Sequence, residues 1–293
     1  MPLTADGLVA LFDLERIEKD IFRGAVAKNG WARVFGGQVI AQALVAAART
    51  VEDRAPHSLH AYFILGGDPN TPIVFEVDRL RDGRSFTTRR VNAIQHGQAI
   101  FSMIASFQIA EEGVEHSLPM PPAPDPDTLP DPIQLMIAAG GKRAEAARAM
   151  YNRVQPVEIR PLDLSRYQPV PEGQHREPRQ SMWIRIHGRL PDDPAVHRAA
   201  LAFLSDLNLL DTALVAHGRT VMGKEFQVAS LDHALWFHRP FRADEWLLYV
   251  LDSPNAGGAR GLTRGALYSR DGVLVASVAQ EGLIRRRREN PTA

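Results

Sequence analysis

Apolar residues in the second half of the chain recur with the spacing of a helix. They follow one another at alternating steps of four and three residues: Val196, Ala200, Phe203, Leu207, Leu210 and Leu214. This is the spacing of one buried helix face, and it predicts that 203–218 is helical. Asp206 lies within this apolar stripe. A carboxylate there costs free energy unless a partner or a chemical role accounts for it.

The pattern of a helix followed by strands occurs twice. A proline-rich segment, 118–132, cannot be a helix or a central strand, and it divides the chain near its middle. In each half a predicted helix precedes three predicted strands: 36–50 with 73–80, 87–94 and 99–109, then 203–218 with 245–252, 260–269 and 273–281. The shared order predicts an α+β fold of two tandem units, each a helix laid on an antiparallel sheet.

Short windows of the two halves also match residue by residue. The matches are AQALVAA at 41–47 with DTALVAH at 211–217, HAYF at 60–63 near HALWF at 233–237, and Arg89 and Gly97 with Arg264 and Gly272. Their separation grows from about 170 to about 175 residues, as small loop insertions in a duplicated unit would produce. A chance likeness between two modules is the alternative. We predict units at 1–118 and 154–293, joined by a linker and connecting helix at 119–153.

Two further polar residues interrupt apolar patterns in the second unit. The strand face that carries Ala276 and Val278 ends in Gln280, and Ser230 directly precedes an apolar stretch. If the helix crosses its own sheet, Asp206, Ser230 and Gln280 converge. A hydroxyl and an amide can hold a water that the carboxylate deprotonates for attack on a carbonyl carbon, while N–H groups of a first helical turn stabilise the oxyanion. Taken singly, each residue also has an ordinary structural explanation.

The composition limits the classes of function. Of the 293 residues 45% are hydrophobic, and 34 Lys and Arg balance 34 Asp and Glu, so no overall field favours nucleic acid or an anionic membrane. The absence of cysteine excludes disulfides and thiolate sites. The chain begins without a signal-peptide pattern and contains no apolar run long enough to span a membrane. We expect a folded cytoplasmic protein.

Other hydrolytic and cofactor chemistries find little support in the sequence. There is no G-x-S-x-G elbow, and GGARG near 257 is not a dinucleotide-binding motif. His57 and His60 form an H-x-x-H without the H-E-x-x-H pattern, which favours a structural role over a metal site. We expect neither a cofactor nor a metal ion.

Five motifs resemble those of the acyl-CoA thioesterase II family, the double-hotdog enzymes. They run in family order as RVFGGQVIAQAL, RDGRSFTTRRV, SDLNLLDTAL, SLDHALWFHRPF and DGVLVASVAQEG, from about residue 15 to 285. The resemblance implies two long helices, each wrapped by an antiparallel sheet, and hydrolysis of acyl-CoA to free fatty acid and CoA, a reaction of lipid metabolism. It also favours a homo-oligomer.

The resemblance also implies a catalytic set. The family's Asp, its Thr or Ser, and its Gln fall on Asp206, Ser230 and Gln280. The corresponding positions of the first unit are Gly36 and Ala105 for the Asp and the Gln, so that half looks catalytically silent in its own right. The sequence departs from the family at ILGGD, 64–68, where an arginine-containing loop is common, so CoA-binding residues stay unassigned. The basic run at 285–289 is typical of a solvated terminus.

Two alternatives to a thioesterase remain. A hotdog enoyl-CoA hydratase pairs a carboxylate with a histidine a few residues away, but the residue five after Asp206 is Asp211, and His217 lies three turns on. A non-catalytic acyl-CoA-binding protein would have no use for a costly buried carboxylate. Asp211 itself faces away from the apolar stripe and is interpreted as ordinary helix surface.

Overall fold

The computed structural model describes residues 3–28, 30–138, 145, 156–164, 170, 176–221 and 223–287. The helices are α1 (Ala5–Phe12), α2 (Gly36–Ala48), α3 (Pro132–Ala138), α4 (Pro194–Ser205) and α5 (Thr212–Val215), and Pro126–Thr128 forms a 3-10 turn. The strands of the first half are β1 (Glu15–Glu18), β2 (Ile21–Gly24), β3 (Ala55–Phe63), β4 (Ile73–Asp82), β5 (Phe86–Gln95) and β6 (Gln98–Gln108). Those of the second half are β7 (Val157–Pro161), β8 (Arg179–Ile186), β9 (Phe226–Ser230), β10 (Asp232–Phe237), β11 (Leu247–Gly257), β12 (Arg260–Ser269) and β13 (Leu274–Arg286).

These strands form one antiparallel sheet to which both halves contribute. Its order is β1-β2-β4-β5-β6-β3-β10-β13-β12-β11-β8-β7, and β9 pairs with β13. Strands β3 and β10 join the two halves. Helix α2 packs on the strands of the first half and α5 on β8, β11 and β12, while α2 and α4 lie against each other. The predicted α+β architecture of two helix-on-sheet units is confirmed.

The six predicted strands are present because their side chains alternate between core and surface. On β5 the buried positions are Thr87, Arg89, Val91, Ala93 and Gln95, which gives the period of two expected of a strand with one covered face. The β5–β6 and β12–β13 hairpins turn at Gly97 (φ 73°) and Gly272 (φ 90°), and both positions need a left-handed backbone that glycine adopts without strain.

The helix predicted at 203–218 is wrong in its extent. Helix α4 ends at Ser205, and Asp206 follows as its C-cap residue with φ −83° and ψ −11°. Asn208 has φ 58°, a left-handed conformation that breaks the helix before α5 begins. Phe203, Leu210 and Leu214 are nevertheless buried, because two short helices joined by turns can bury the same apolar positions as one long helix. Asp206 therefore lies at a helix end.

The surface assignment of Asp211 is also wrong. Its side chain is buried, and its Oδ1 accepts a hydrogen bond from the backbone N–H of Val221 at 2.8 Å. The assignment extended the phase of one continuous helix past Asp206. Because the chain changes direction at Asn208, that phase does not apply to Asp211.

Two of the residue matches between the halves are one residue out of register. His60 is exposed, whereas His233 is buried opposite Ala61. Arg89 is likewise buried and Arg264 exposed. A shift of one residue in a strand exchanges its two faces, so the buried equivalents are Leu59 for His233 and Arg89 for Thr263. The pairs Arg89↔Ala105 and Thr263↔Gln280 keep Ala105 as the equivalent of Gln280.

The predicted connecting helix begins as α3, and the rest of 132–153, apart from Glu145, lies outside the described residues. The unit boundaries at 118/119 and 153/154 stay predictions. Of the basic run at 285–289, only 285–287 lies within the described residues. Among the described residues, none of the helices has the length and apolar character needed to cross a membrane.

Candidate functional site

Asp206 lies where the two halves meet. At the end of α4 it faces the start of α2, so close that a Cβ on Gly36 would lie 2.6 Å from Asp206 Oδ2 and 2.9 Å from Cζ of Phe63. Any side chain at Gly36 would therefore displace the carboxylate or the Phe63 ring. The residue as a whole is half-buried, but its Oδ1 is inaccessible and has no hydrogen-bond partner among the described residues.

The surroundings of Asp206 favour its protonated form more than water does. Burial raises the pKa of the Asp206 carboxyl to about 7, and the backbone N–H of Gly37 and the side-chain amide of Gln280 lower it by smaller amounts. A carboxyl with a pKa near neutrality can both take and return a proton under physiological conditions. This is the property that a general base needs.

Gln280 connects Asp206 to Ser230. It lies on β13 with its side chain buried, and its Nε2 donates a hydrogen bond to Ser230 Oγ at 2.7 Å. Ser230 ends β9, where the pairing with β13 places it opposite Gly282. The three residues that the sequence analysis singled out are therefore brought together around one amide.

The sequence analysis missed three buried polar residues behind this amide. Nδ1 of His233 lies 2.8 Å from Gln280 Oε1, and its Nε2 lies 3.0 Å from Ser205 Oγ. The hydroxyl of Tyr249 donates a hydrogen bond to the Ser205 carbonyl at 2.7 Å. His233 shares the buried face of β10 with Leu235, so strand alternation was the signal that could have identified it.

The polar groups are specific to the second half. The sheet register aligns Tyr249 with Phe75, because Tyr249 pairs with Leu267 and Phe75 with Ala93 in the corresponding strands. The register thus places Leu59, Phe75 and Ala105 where the second half has His233, Tyr249 and Gln280, and the sequence match at 41–47 aligns Gly36 with Asp206. The first half cannot form the same hydrogen bonds, so the duplicated fold carries an asymmetric site.

The first half nevertheless contributes to the site through its backbone. The first turn of α2 directs the N–H group of Gly37 toward Asp206, and the first N–H groups of a helix have no partner within the helix. Asp206 lies at the C-terminal end of α4, so its own helix presents no first turn to the carboxylate. That first turn comes from α2, in the other unit. Such N–H groups, with the positive end of the helix dipole, can stabilise an oxyanion.

Apolar rings enclose the approach to Asp206. Phe35, just before α2, packs edge-on against Phe203 of α4 with ring centroids 5.0 Å apart, and Phe63 packs on Phe101 at 5.2 Å. The described residues contain no cluster of three or more His, Asp or Glu suited to a metal ion. The arrangement therefore offers a base, two polar side chains and oriented N–H groups beside an apolar wall, which suits addition of water to the carbonyl of an apolar substrate.

Comparison with known proteins finds similarity to acyl-CoA thioesterases over most of the chain. The family profile described as acyl-CoA thioesterase matches residues 152–283, and that of the acyl-CoA thioesterase N-terminal domain matches residues 27–108. The chain is 41% identical over 290 residues to acyl-coenzyme A thioesterase 8 of Homo sapiens, covering 95% of this chain and 88% of the human protein.

Solved structures agree with the fold. The crystal structure of the acyl-CoA thioesterase II TesB2 from Mycobacterium marinum has 46% sequence identity and a TM-score of 0.77, with 96% of this chain and 98% of that chain covered. A conserved protein of unknown function with the hot dog fold from Alicyclobacillus acidocaldarius is 20% identical, with a TM-score of 0.76 over 96% of this chain and 98% of that chain. With the observed topology, these similarities confirm the double-hotdog fold.

Proposed function

Because the chain belongs to the acyl-CoA thioesterase family, we propose that it hydrolyses acyl-CoA thioesters to free fatty acid and CoA with Asp206 as the general base. The observation that carries the proposal is the half-buried Asp206, whose carboxyl has a pKa near neutrality and lies between Gln280 and the first turn of α2. A family of acyl-CoA thioesterases provides the substrate class, and this carboxyl provides the base.

The reaction follows from the chemistry of the groups present. Asp206 takes a proton from a water molecule, whose oxygen attacks the thioester carbonyl carbon. The carbonyl π electrons move to oxygen, where the first-turn N–H groups of α2, released from Asp206 once it is protonated, stabilise the negative charge. When the carbonyl re-forms, the C–S bond breaks and the sulfur leaves with its electron pair. The proton held by Asp206 passes to that sulfur, and the products are a carboxylic acid and the free thiol of CoA.

Ser230 and Gln280 orient the attacking water. The Gln280 amide donates one N–H to Ser230 Oγ at 2.7 Å, and a second lies close enough to Asp206 to lower its pKa. The Ser230 hydroxyl accepts from the amide and keeps its own proton available for the water or the carboxylate. Fixing the water against the base reduces the entropy lost in reaching the transition state.

Replacement of the base tests the proposal directly. For Asp206→Asn we expect thiol release from medium- or long-chain acyl-CoA to fall by at least about 100-fold, because the amide cannot accept the proton. Binding of acyl-CoA should persist, since the substitution retains size and polarity. The measurement is the rate of free-thiol release, with acyl-CoA affinity determined in parallel.

Asp211→Asn is the matched control, since Asp211 is a buried carboxylate five residues away and an asparagine oxygen can still accept the Val221 N–H. It should retain activity. Turnover that survives in Asp206→Asn would contradict the general-base role, and hydration of an enoyl-CoA without thiol release would favour the hydratase alternative.

We further propose that the protein is cytoplasmic and assembles as a homo-oligomer. The balanced charge and the absence of cysteine support the first, and the two sheet edges at β1 and β7 support the second. Cell fractionation tests the location, and recovery with a membrane fraction would contradict it.

A further inference from the structure

His233 is a buried titratable residue to which the hydrolytic steps above assign no proton transfer. Its side chain contacts Gln280 on one side and Ser205 on the other. We propose that His233 is a positioning residue: a neutral imidazole protonated at Nδ1 that fixes the Gln280 amide with its Nε2 directed at Ser230 and Asp206. The inference rests on the proposed function, in which Gln280 orients the attacking water.

The charge state of His233 follows from its position. Only 1% of the residue is exposed, and burial lowers the pKa of His233 to about 4, with the Gln280 side chain raising it by less. The imidazole is therefore neutral at physiological pH and has one donor nitrogen and one acceptor nitrogen. A neutral imidazole is a poor proton donor, so this residue is suited to holding a neighbour in place.

Two hydrogen-bond chains are consistent with the heavy-atom positions. In one, Ser205 donates to His233 Nε2, Nδ1–H donates to Gln280 Oε1, and Gln280 Nε2 donates to Ser230. In the other chain every bond is reversed: Ser230 donates to the turned amide, the amide donates to His233 Nδ1, and His233 Nε2–H donates to Ser205. The Ser205 hydroxyl then donates to the Ala202 carbonyl oxygen, which lies 2.9 Å away. Side-chain amides permit both orientations, so geometry within the chain does not choose between them.

The Asp206 carboxylate selects the first chain. The Gln280 amide lies close enough to Asp206 to influence its pKa. If the amide were turned over, its oxygen would face the carboxylate and the two acceptors would repel each other in a buried site. The amide nitrogen must therefore face Asp206 and Ser230, its oxygen must face His233, and His233 Nδ1 must carry the hydrogen.

Comparison with the first half of the molecule supports a role for His233 in the candidate site. At the position of His233 it has Leu59, and at the position of Gln280 it has Ala105. A buried leucine thus satisfies the packing requirement of the fold at this position. The histidine occurs in the unit where an amide needs to be oriented, so the fold by itself does not require its polar atoms.

Substitutions separate orientation of Gln280 from packing. His233→Leu, which copies the first half, should lower kcat by about 100-fold with KM changed by less than about threefold, since the amide loses its fixed orientation. His233→Asn should recover most of kcat, because its side-chain N–H lies where Nδ1–H does. The control is His60→Leu, on the exposed face of the adjoining strand, which should leave kcat unchanged. Wild-type kcat in His233→Leu, or equal losses in the Leu and Asn variants, would overturn the proposal.

The tautomer provides a readout on the wild-type protein that does not depend on turnover. Nitrogen NMR of the full-length wild-type protein with labelled histidine, assigned with His233→Asn, should show His233 neutral at pH 9, where Asp206 is ionised, with its hydrogen on Nδ1. A hydrogen on Nε2 would establish the reversed chain and overturn the inference. Failure of the proposed function would appear separately, as turnover that survives in Asp206→Asn while the Nδ1–H tautomer is still observed.

Discussion

At the residue scale, Asp206 combines catalytic suitability with a cost in stability. The ordinary pKa of an aspartate carboxyl is 3.8, and burial raises that of Asp206 to about 7 in the folded protein. Between these two values the folded state binds more protons than the unfolded state, so this group makes the protein less stable as pH rises. The destabilisation is complete above pH 7 and absent below about pH 4.

This linkage predicts that Asp206→Asn stabilises the protein while removing activity. The pKa shift from 3.8 to about 7 means that the variant's free energy of unfolding should exceed that of the wild type by about 4 kcal/mol at pH 8. Half of this difference should remain near pH 5.5. Denaturant unfolding of both proteins across this pH range measures the difference. A variant that is less stable than the wild type at pH 8 would show that the carboxylate is stabilised in the fold, contrary to the burial effect.

At the scale of elements, the start of α2 sets the space available to the carboxylate. The Phe35–Phe203 contact holds α2 against α4, and Gly36 leaves room for the Asp206 carboxylate and the Phe63 ring. Alanine favours a helix over glycine by about 1 kcal/mol. A glycine at the first position of α2 is therefore explained by the close approach of Asp206 and not by the helix.

Gly36→Ala should therefore reduce turnover by about 100-fold through displacement of Asp206, while thermal stability falls much less than activity. Steady-state kinetics and a melting curve measure the two effects. Gly113→Ala is the control, because a Cβ there meets nothing within 4 Å. Full activity in Gly36→Ala would mean that Asp206 does not need its observed position.

At the scale of the whole molecule, the two halves share one sheet and one core. Leu59 and Leu235 pair across the β3–β10 junction, and both belong to a hydrophobic cluster with members from both halves. The site lies at this junction, with Asp206, Ser230 and Gln280 from one half and the first turn of α2 from the other. Duplication followed by loss of polar groups in one half would produce such an arrangement.

The ends of the sheet lead to a prediction about assembly. Strand β1 is exposed along its length and presents Ile17, which is 51% exposed, at an edge whose backbone groups can pair with another chain. We expect a mass in solution of at least twice the 32.4 kDa of one chain, measured by light scattering during size-exclusion chromatography. A monomeric mass at micromolar concentration would contradict the predicted homo-oligomer.

The sequence by itself determined much of the local structure. Alternation of apolar and polar residues located six strands, apolar spacing located α2, and the order of these elements gave the two-unit α+β fold. Asp206 and Gln280 could be singled out because each interrupts a buried apolar pattern. These features were predictable because they depend on residues a few positions apart.

The tertiary structure decided the rest. Asp206 lies beside Gly36 although some 170 residues separate them along the chain, and no periodic pattern encodes such a contact. Pairing between strands settled which matches between the halves were in register, since a shift of one residue exchanges core and surface. The tertiary structure also placed His233 behind Gln280 and the first turn of α2 beside Asp206. Folding alone brings together the proposed base, the amide beside it and the first-turn N–H groups, because each comes from a different part of the chain.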